Sequence, residues 1–243
     1  MVVMLREVSD MEDSSAYDVL SWTVEQYGES AAFSCSFGAE DMVILDMLDS
    51  VRAQKGRSVS VFSLDTGRLH SETYSLMQRV HEKYSIPVNV YFPGAQEVEE
   101  MVTAHGMNLF YASVEKRKLC CELRKVRPLK RALEGKSAWI TGLRRAQSKT
   151  RSDIPKVFHD ATTARLKISP LADWDDDDVW NYIRSHDVPY NKLHDAGYPS
   201  IGCEPCTRSV GKGDDPRSGR WWWENGNREC GLHFSEADEA GRR

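Results

Sequence analysis

The chain has 243 residues, of which 40% are apolar and 28% charged, with a formal net charge of −5. That length supports a hydrophobic core without covalent staples, and the composition is that of a globular protein rather than a disordered or fibrous one. The acidic balance argues against a broad nucleic-acid surface, and no apolar run approaches the ~20 residues needed to span a membrane.

The predicted elements begin with a helix from Tyr17 to Tyr27, on the spacing of Val19, Leu20, Trp22 and Val24. Ala31 to Phe37 reads as a short buried strand ending at Gly38. A helix from Asp41 to Val51 follows, its apolar face carried by Val43, Leu45, Met47, Leu48 and Val51. Ser58 to Leu64 is a second strand, closed by Asp65-Thr66-Gly67, and Ser71 to Tyr84 is helical. Val88 to Phe92 is a third strand, stopped by Pro93-Gly94, and Gln96 to His105 is a helix. Ser137 to Thr141 is a fourth strand, ended by Gly142. This alternation predicts an α/β fold with a largely parallel twisted sheet flanked by helices. One α/β domain is expected over 1–243. From Gly197 to Arg243 the composition shifts to Gly, Pro, Cys and Trp with no helical or strand period, so an irregular C-terminal segment is expected there rather than a second core.

In open α/β sheets ligands bind beyond the carboxyl ends of the strands. Three loops meet that condition. Ser34-Cys35-Ser36-Phe37-Gly38-Ala39-Glu40-Asp41 offers hydroxyls, a glycine and a helix start, which can cradle an anion or simply cap the helix. Leu64-Asp65-Thr66-Gly67 can face a base or ribose, or be an ordinary turn. Gly142-Leu143-Arg144-Arg145, with Ser148, Thr150 and Arg151, reads as a phosphate or sulfate clamp or as a solvated basic loop. Basic runs from Lys116 to Arg131 and Arg144 to Arg151, and an acidic patch at Asp173 and Asp175 to Asp178, suit a small anionic ligand better than a polymer.

The chain has six cysteines. Cys120 and Cys121 are adjacent, Cys203 and Cys206 form a C-x-x-C pair, and Cys35 and Cys230 stand alone. Met1 to Asp10 holds too few apolar residues for a secretory core. A cytoplasmic location is therefore expected, where cysteines bind metal or catalyse more often than they pair. The quartet has the spacing of zinc or iron–sulfur sites. Adjacent ligands point in different directions, which suits a cubic cluster better than a single ion. Lys116, Arg117, Lys118, Arg124 and Lys125 flank the adjacent pair and would offset the negative charge of a thiolate-bound centre.

Ser36-Phe37-Gly38-Ala39-Glu40-Asp41, Leu64-Asp65-Thr66-Gly67, Cys120-Cys121, Gly142-Leu143-Arg144-Arg145, Cys203-x-x-Cys206 and Glu229-Cys230-Gly231-Leu232-His233 together resemble the assimilatory adenylyl-sulfate reductases, within the wider phosphoadenylyl-sulfate reductase family. The likeness runs from about Ala31 to Phe234. It implies an adenine nucleotide alpha hydrolase-like fold and a [4Fe–4S] cluster on Cys120, Cys121, Cys203 and Cys206, with Cys230 as nucleophile. It implies substrate contacts at Ser34, Ser36, Phe37, Gly38, Leu64, Lys125, Arg151, Arg217, Arg220 and His233. The loop lacks Ser-Gly-Gly-x-Asp-Ser, so adenylation by ATP is not expected. Arg228 stands where many relatives have lysine, and Cys35 receives no role.

The implied reaction converts adenosine 5′-phosphosulfate to sulfite and AMP through S-sulfocysteine on Cys230, with thioredoxin or glutaredoxin as the thiol reductant. Gly211, Gly213, Asp214, Asp215, Pro216 and Gly219 are expected to form a flexible approach to Trp221-Trp222-Trp223. A homo-oligomer is compatible with this reading; nucleic-acid and membrane partners are not expected. Phosphoadenylyl sulfate is the alternative substrate. A metal-stabilised nucleotide-binding module would leave Cys230 unexplained. A tRNA-thiolating enzyme would want an intact ATP loop and a basic RNA surface.

Overall fold

A computed structural model describes residues 10–147, 151–211 and 213–224. By their contacts the residues divide into two compact units, Met1–Ser63 with Glu72–Asn89 and Gly135–Lys192, and Leu64–Ser71 with Val90–Glu134 and Leu193–Arg243. No helix among the described residues is long and apolar enough to cross a membrane.

The elements, in chain order, are α1 (Ala16–Tyr27), β1 (Ala31–Ser34), α2 (Ala39–Lys55), β2 (Ser60–Leu64), α3 (Ser71–Lys83), β3 (Val88–Tyr91), α4 (Ala95–His105), α5 (Val114–Cys121), a π-helical turn (Glu122–Val126), α6 (Arg127–Ala132), β4 (Ala138–Ile140), β5 (Val157–Asp160), β6 (Arg165–Ile168) and α7 (Asp176–Ser185). The sheet runs β3-β2-β1-β4-β6-β5. β1 pairs in parallel with β2 and β4, β4 pairs in parallel with β6, and only β5 is antiparallel to β6. The expected α/β class with a largely parallel sheet is borne out.

In the first unit one face of the sheet builds the main core. Phe33, Ile140, Ile168 and Val157 stand in register on that face. They pack with Val19 and Leu20 of α1, Ile44 and Leu48 of α2, Leu76 and Val80 of α3, and Val179 and Ile183 of α7. Burial of this many aliphatic side chains, at roughly 1.5–3 kcal/mol each, is the main favourable term. Tyr84 and Tyr182 both donate to Asp46, at 2.9 Å each, so the one carboxylate ties two hydroxyls together.

Local chemistry sets the boundaries. Ser15 accepts from the Asp18 N–H and starts α1. Gly56, at φ 64°, ends α2 in the left-handed conformation that glycine adopts without strain. The strand expected to reach Phe37 stops at Ser34, because the chain turns sharply at Phe37 (φ 62°) to enter α2. The acidic patch is mostly structural. Asp175 and Asp178 form a reciprocal capping box on α7, and Asp173 pairs with Lys156 at 2.7 Å.

The second unit has a smaller core of Met101, Leu109, Phe110, Leu123, Cys206 and Trp221. Its described C-terminal part contains a short 3-10 turn, Glu204–Cys206, and an isolated bridge from Thr207 to Arg220. The irregular character expected after Gly197 holds over the described residues. At its C-terminal end the approach expected at 211–219 is tied to the chain before it: Arg208 N donates to Gly219 O (3.0 Å) and, just beyond, Trp221 N donates to Cys206 O (3.2 Å). A Cβ on Gly219 would come 2.3 Å from the Arg208 carbonyl, so only glycine fits this close approach.

Candidate functional site

The first unit carries the loop from β1 into α2. Ser36 donates from both N–H and Oγ to Asp41 Oδ2, at 2.5 and 2.7 Å. Phe37 is buried and holds a positive φ, which is an outlier for a bulky residue and a recurrent feature of functional loops. Gly38 is the N-cap of α2. The cradle expected here is thus lined with a carboxylate of the same chain. Burial raises the Asp41 carboxyl to about 7; the two Ser36 bonds oppose that shift and the Glu40 charge adds to it. A Cβ on Gly142 would sit 2.3 Å from Asp41 Oδ1, so the β4 loop closes directly on that carboxyl. Ser34 Oγ accepts from Trp139 Nε1 at 2.9 Å.

The arginine clamp read from the Gly142 loop is corrected in part. Arg144 is buried and committed to Glu40 (2.8 Å), Asp176 (2.6 Å) and the Trp174 carbonyl (3.2 Å). Arg145 is held by Glu12 and by the Ile154 carbonyl (2.9 Å). Both guanidiniums serve the fold. Arg151 is half-buried and donates to Gln147, which in turn bonds Glu40 and the Gly142 carbonyl. Ser148 and Thr150 lie outside the described residues.

Cys35 is buried, and desolvation pushes its thiol well above the ordinary range, with the Asp41 charge adding to the effect. A thiol so protonated is a poor nucleophile.

The second unit carries the cysteine quartet. Cys120 and Cys121 end α5, immediately before the π-helical turn. π-turns are rare and cluster at functional sites. Burial raises Cys120, with Arg124 opposing it and Cys203 adding to it. Burial likewise raises Cys206 to about 12, with contributions from Cys203 and Cys121 and opposition from Lys125 and Arg220. Each of these mutual effects requires proximity, so the four sulfurs share one neighbourhood. None of the four is in a disulfide among the described residues. Among the described residues, no three His, Cys, Asp or Glu side chains gather closely enough to hold a single metal ion. The donor set nonetheless fits a polynuclear centre, in which each thiolate meets a different metal atom. Binding there would displace protons that burial now holds on the sulfurs.

Other residues fix this region. Thr66 Oγ1 lies 3.2 Å from Cys203 Sγ, and Arg124 donates to the Thr66 carbonyl at 2.6 Å. The Asp65-Thr66-Gly67 turn therefore belongs to the cysteine region. Arg117 is buried in a bidentate pair with Glu224 (2.9 and 2.8 Å) and lies 4.8 Å from the Trp221 ring centroid. Arg220 lies over the same ring at 4.7 Å. Trp221 is buried with φ 43°, a second bulky outlier. Trp223 packs edge-on to Tyr111 at 4.5 Å, which docks the tryptophan run.

The expected residues therefore fall in two groups. Ser34, Ser36, Phe37, Gly38 and Arg151 belong to the first unit; Leu64, Lys125, Arg217, Arg220 and the four cysteines belong to the second. Cys230 and His233 lie outside the described residues. Sequence reasoning missed Asp41 and Glu224 as partners. The acidic step at Glu40-Asp41 was a signal for the first; Glu224, 107 residues from Arg117, had none.

Residues 30–209 match the phosphoadenosine phosphosulfate reductase domain family. The chain is 46% identical to the adenosine 5′-phosphosulfate reductase of Burkholderia cepacia, covering 90% of this chain and 86% of that protein. It is 46% identical to the protein of the same name from Allochromatium vinosum (92% and 86%) and 50% identical to that of Sinorhizobium fredii strain NBRC 101917 (85% and 81%). The crystal structure of a phosphoadenylyl-sulfate reductase from Candida auris, in a phosphate complex, superposes with a TM-score of 0.68 at 31% identity, covering 82% of this chain and 91% of that one. A yeast FAD synthetase structure, at 12% identity and a TM-score of 0.53, shares the fold alone. The chain belongs to the phosphoadenosine phosphosulfate reductase family.

Proposed function

We propose that this chain reduces adenosine 5′-phosphosulfate to sulfite and AMP in assimilatory sulfate reduction, with Cys230 as the nucleophile and reduced thioredoxin or glutaredoxin as the electron source. The observation that carries this reading is the 46–50% identity to relatives named for that reaction, across more than four-fifths of both chains. The Cys230 thiolate attacks the sulfur of the phosphosulfate. An S–S bond forms, the bond from sulfur to the bridging oxygen breaks, and AMP leaves with that electron pair. A dithiol then attacks the Cys230 sulfur, releases sulfite, and closes to a disulfide, supplying both electrons. Thiolate is the reactive form, so nearby cations favour the first step.

The residues proposed to bind substrate divide by role. Ser34, Ser36, Phe37 and Gly38 face the nucleotide from the β1 loop, and Leu64 from the end of β2. Lys125, Arg151, Arg217, Arg220 and His233 supply cations for the phosphosulfate and for the charge developing on AMP. Cys120, Cys121, Cys203 and Cys206 would hold a [4Fe–4S] cluster. Bound there, the cluster supplies a compact anionic centre against which Lys125 and Arg220 are ordered. Cysteines outside disulfides suit a reducing, cytoplasmic compartment. The deep burial of Cys35 supports Cys230 as the nucleophile by elimination.

The test is Cys230→Ser. The variant should fold, keep its iron and bind the nucleotide, yet release no sulfite. Wild-type protein given substrate without a dithiol should release at most one AMP and gain about 80 Da on Cys230, the mass of the SO₃ added in the covalent intermediate. An adduct on Cys35, or turnover by the serine variant, overturns the assignment. Assays with the 3′-phosphorylated nucleotide in parallel decide the substrate branch.

A further inference from the structure

The sheet of the first unit has a second face, and its polar residues are not those of the main core. Ala32, Trp139, Lys167 and Phe158 stand in register across β1, β4, β6 and β5. They alternate with the core row of Phe33, Ile140, Ile168 and Val157, so they point to the opposite side. Next along the same face toward the strand carboxyl ends come Ser34, Thr141 and Ser169, the last two 3.1 Å apart through their hydroxyls. Trp139 Nε1 donates to Ser34 Oγ, which links this row to the β1 loop.

Lys167 is the unusual member. It is 94% buried (6% exposed), and its ammonium lies 5.0 Å from the Trp139 ring centroid and 5.9 Å from that of Phe158. Among the described residues its ammonium makes no hydrogen bond and no ion pair. An ammonium has three donors and no acceptor, and aromatic faces satisfy only part of that demand. The other buried lysine among the described residues differs. Lys156 bonds Asp173 and the Ser14 carbonyl, both at 2.7 Å. Two charges act on Lys167 from outside the row. Asp160 attracts it, but that carboxylate is already taken by the Thr162 N–H and the Thr163 hydroxyl. Arg151 repels it. A buried, unpaired cation beside a second cation is costly unless an anion joins them. Both lie on the strands or loops whose carboxyl ends hold ligands in this class of sheet.

We propose that Lys167 is a substrate-binding residue that, with Arg151, receives the anionic phosphosulfate end of the nucleotide, while Trp139 holds the ammonium and positions Ser34. The proposal rests on the function given above and adds a contact that the loop motifs do not contain. Lys167 sits inside a strand, on the face opposite the core, and the sequence around it reads only as Arg165-Leu166-Lys167-Ile168.

The experiment uses the full-length holoprotein with Lys167→Met and Lys167→Arg, and AMP, adenosine and adenosine 5′-phosphosulfate as probes. In Lys167→Met, AMP affinity should fall on the order of 10- to 100-fold, the range for losing a hydrogen bond to a charged group. Adenosine, which has no anion, should bind as it does to wild type. KM for the phosphosulfate should rise in step with AMP affinity, and Lys167→Arg should recover most of the loss. The ligand-free methionine variant should melt no lower than wild type, since an unpaired buried charge has been removed. AMP and phosphosulfate binding equal to wild type in Lys167→Met overturns the proposal, as does a parallel loss of adenosine binding, which would assign Lys167 to sheet packing. If wild-type protein turns over no phosphosulfate, the functional reading fails, and the comparison of AMP with adenosine still decides the role of Lys167.

Discussion

The two units support their functional residues in different ways. In the first, a broad aliphatic core lies under the sheet, and the loop groups satisfy one another: Ser36 with Asp41, Glu40 with Arg144, Arg144 with Asp176. In the second, the core is small and contains sulfur, aromatic rings and a buried ion pair. Among the described residues each has one bulky aromatic residue at positive φ, Phe37 in the first and Trp221 in the second. Phe37 is over-determined by the aliphatic core around it. Trp221 is held by two guanidiniums and by a bond to the carbonyl of Cys206. The difference teaches that the first unit satisfies its loop groups within the chain, whereas the second gathers four cysteines and several cations around a small core, the region to which the proposed function assigns a cluster.

The largest expected effect tests that dependence. Cys121→Ser should lose iron and activity together, and hydrogen exchange should show lost protection in α5 and around Cys206 while β1, β4 and α2 stay protected. Structural metal sites contribute folding energy directly, on the order of 10 kcal/mol where they have been measured in small domains. Equal loss of protection in both units would erase the contrast drawn here.

Next in size is Arg117→Met. It removes the bidentate cation from the buried Glu224 carboxylate, and breaking a buried ion pair costs roughly 3–5 kcal/mol. Burial acts to lower the Arg117 guanidinium, and Glu224 and Cys121 more than offset this, so the charge belongs to the second unit's fold. The denaturation midpoint of that unit should fall. The double variant Arg117→Met with Glu224→Leu should regain much of the loss, because two apolar groups of similar size leave no charge unpaired. A double variant no better than the single one would show that stacking on Trp221 matters more than the pair.

In the first unit, Gly142→Ala should cost about 1–3 kcal/mol, the range for overpacking. Its Cβ would fall 2.3 Å from Asp41 Oδ1, and Asp41 is fixed by Ser36. Urea unfolding measures this, and nucleotide affinity should fall with it if the loop geometry is prebuilt. A neutral substitution would mean that the Asp41 carboxyl moves freely.

Much of this was legible in the sequence where a local rule applied. The aliphatic periodicities of α1, α2 and α3 and the short apolar runs of β1, β2 and β4 marked the first unit. The cysteine spacing and the Ser36 to Asp41 run marked the two functional regions. What escaped was non-local. Arg144 and Arg145 read as an anion clamp because nothing near them announced Glu40, Asp176 or Glu12 as partners. The basic run at 116–131 concealed α5, the π-turn and α6, since its charges obscured the apolar spacing of Leu119, Leu123 and Leu129. Four adjacent aspartates read as a patch although the first and fourth cap α7. Lys167 fell in a stretch where no strand was read, and its neighbours across the sheet come from β4 and β5.

The last prediction is a slope. Asp41 titrates near 7 in the folded chain against an ordinary value of 3.8, because burial disfavours its charge. A carboxyl raised in the native state binds its proton more tightly there than in the unfolded chain. Its contribution to stability is therefore complete below about pH 4 and is lost as pH rises toward 7, by at most ~1.4 kcal/mol per pH unit, and it is flat above that. Asp41→Asn cannot titrate and should lack this slope. The groups facing Asp41 are Ser36, Glu40, Cys35 and the Gly142 backbone, and of these only Glu40 adds charge at neutral pH. Urea midpoints of wild type and Asp41→Asn at pH 5, 6, 7 and 8 isolate the effect, since groups not coupled to Asp41 cancel in the difference. Wild type should lose ground to the asparagine variant between pH 5 and 7 and hold a constant difference from 7 to 8. A difference that is constant throughout would mean that the two Ser36 bonds keep Asp41 ionised, and that the first unit's loop carries a fixed negative charge toward an anionic ligand. The prebuilt loop would then oppose the very group it faces, and the cations of Arg151 and Lys167 would have to outweigh it.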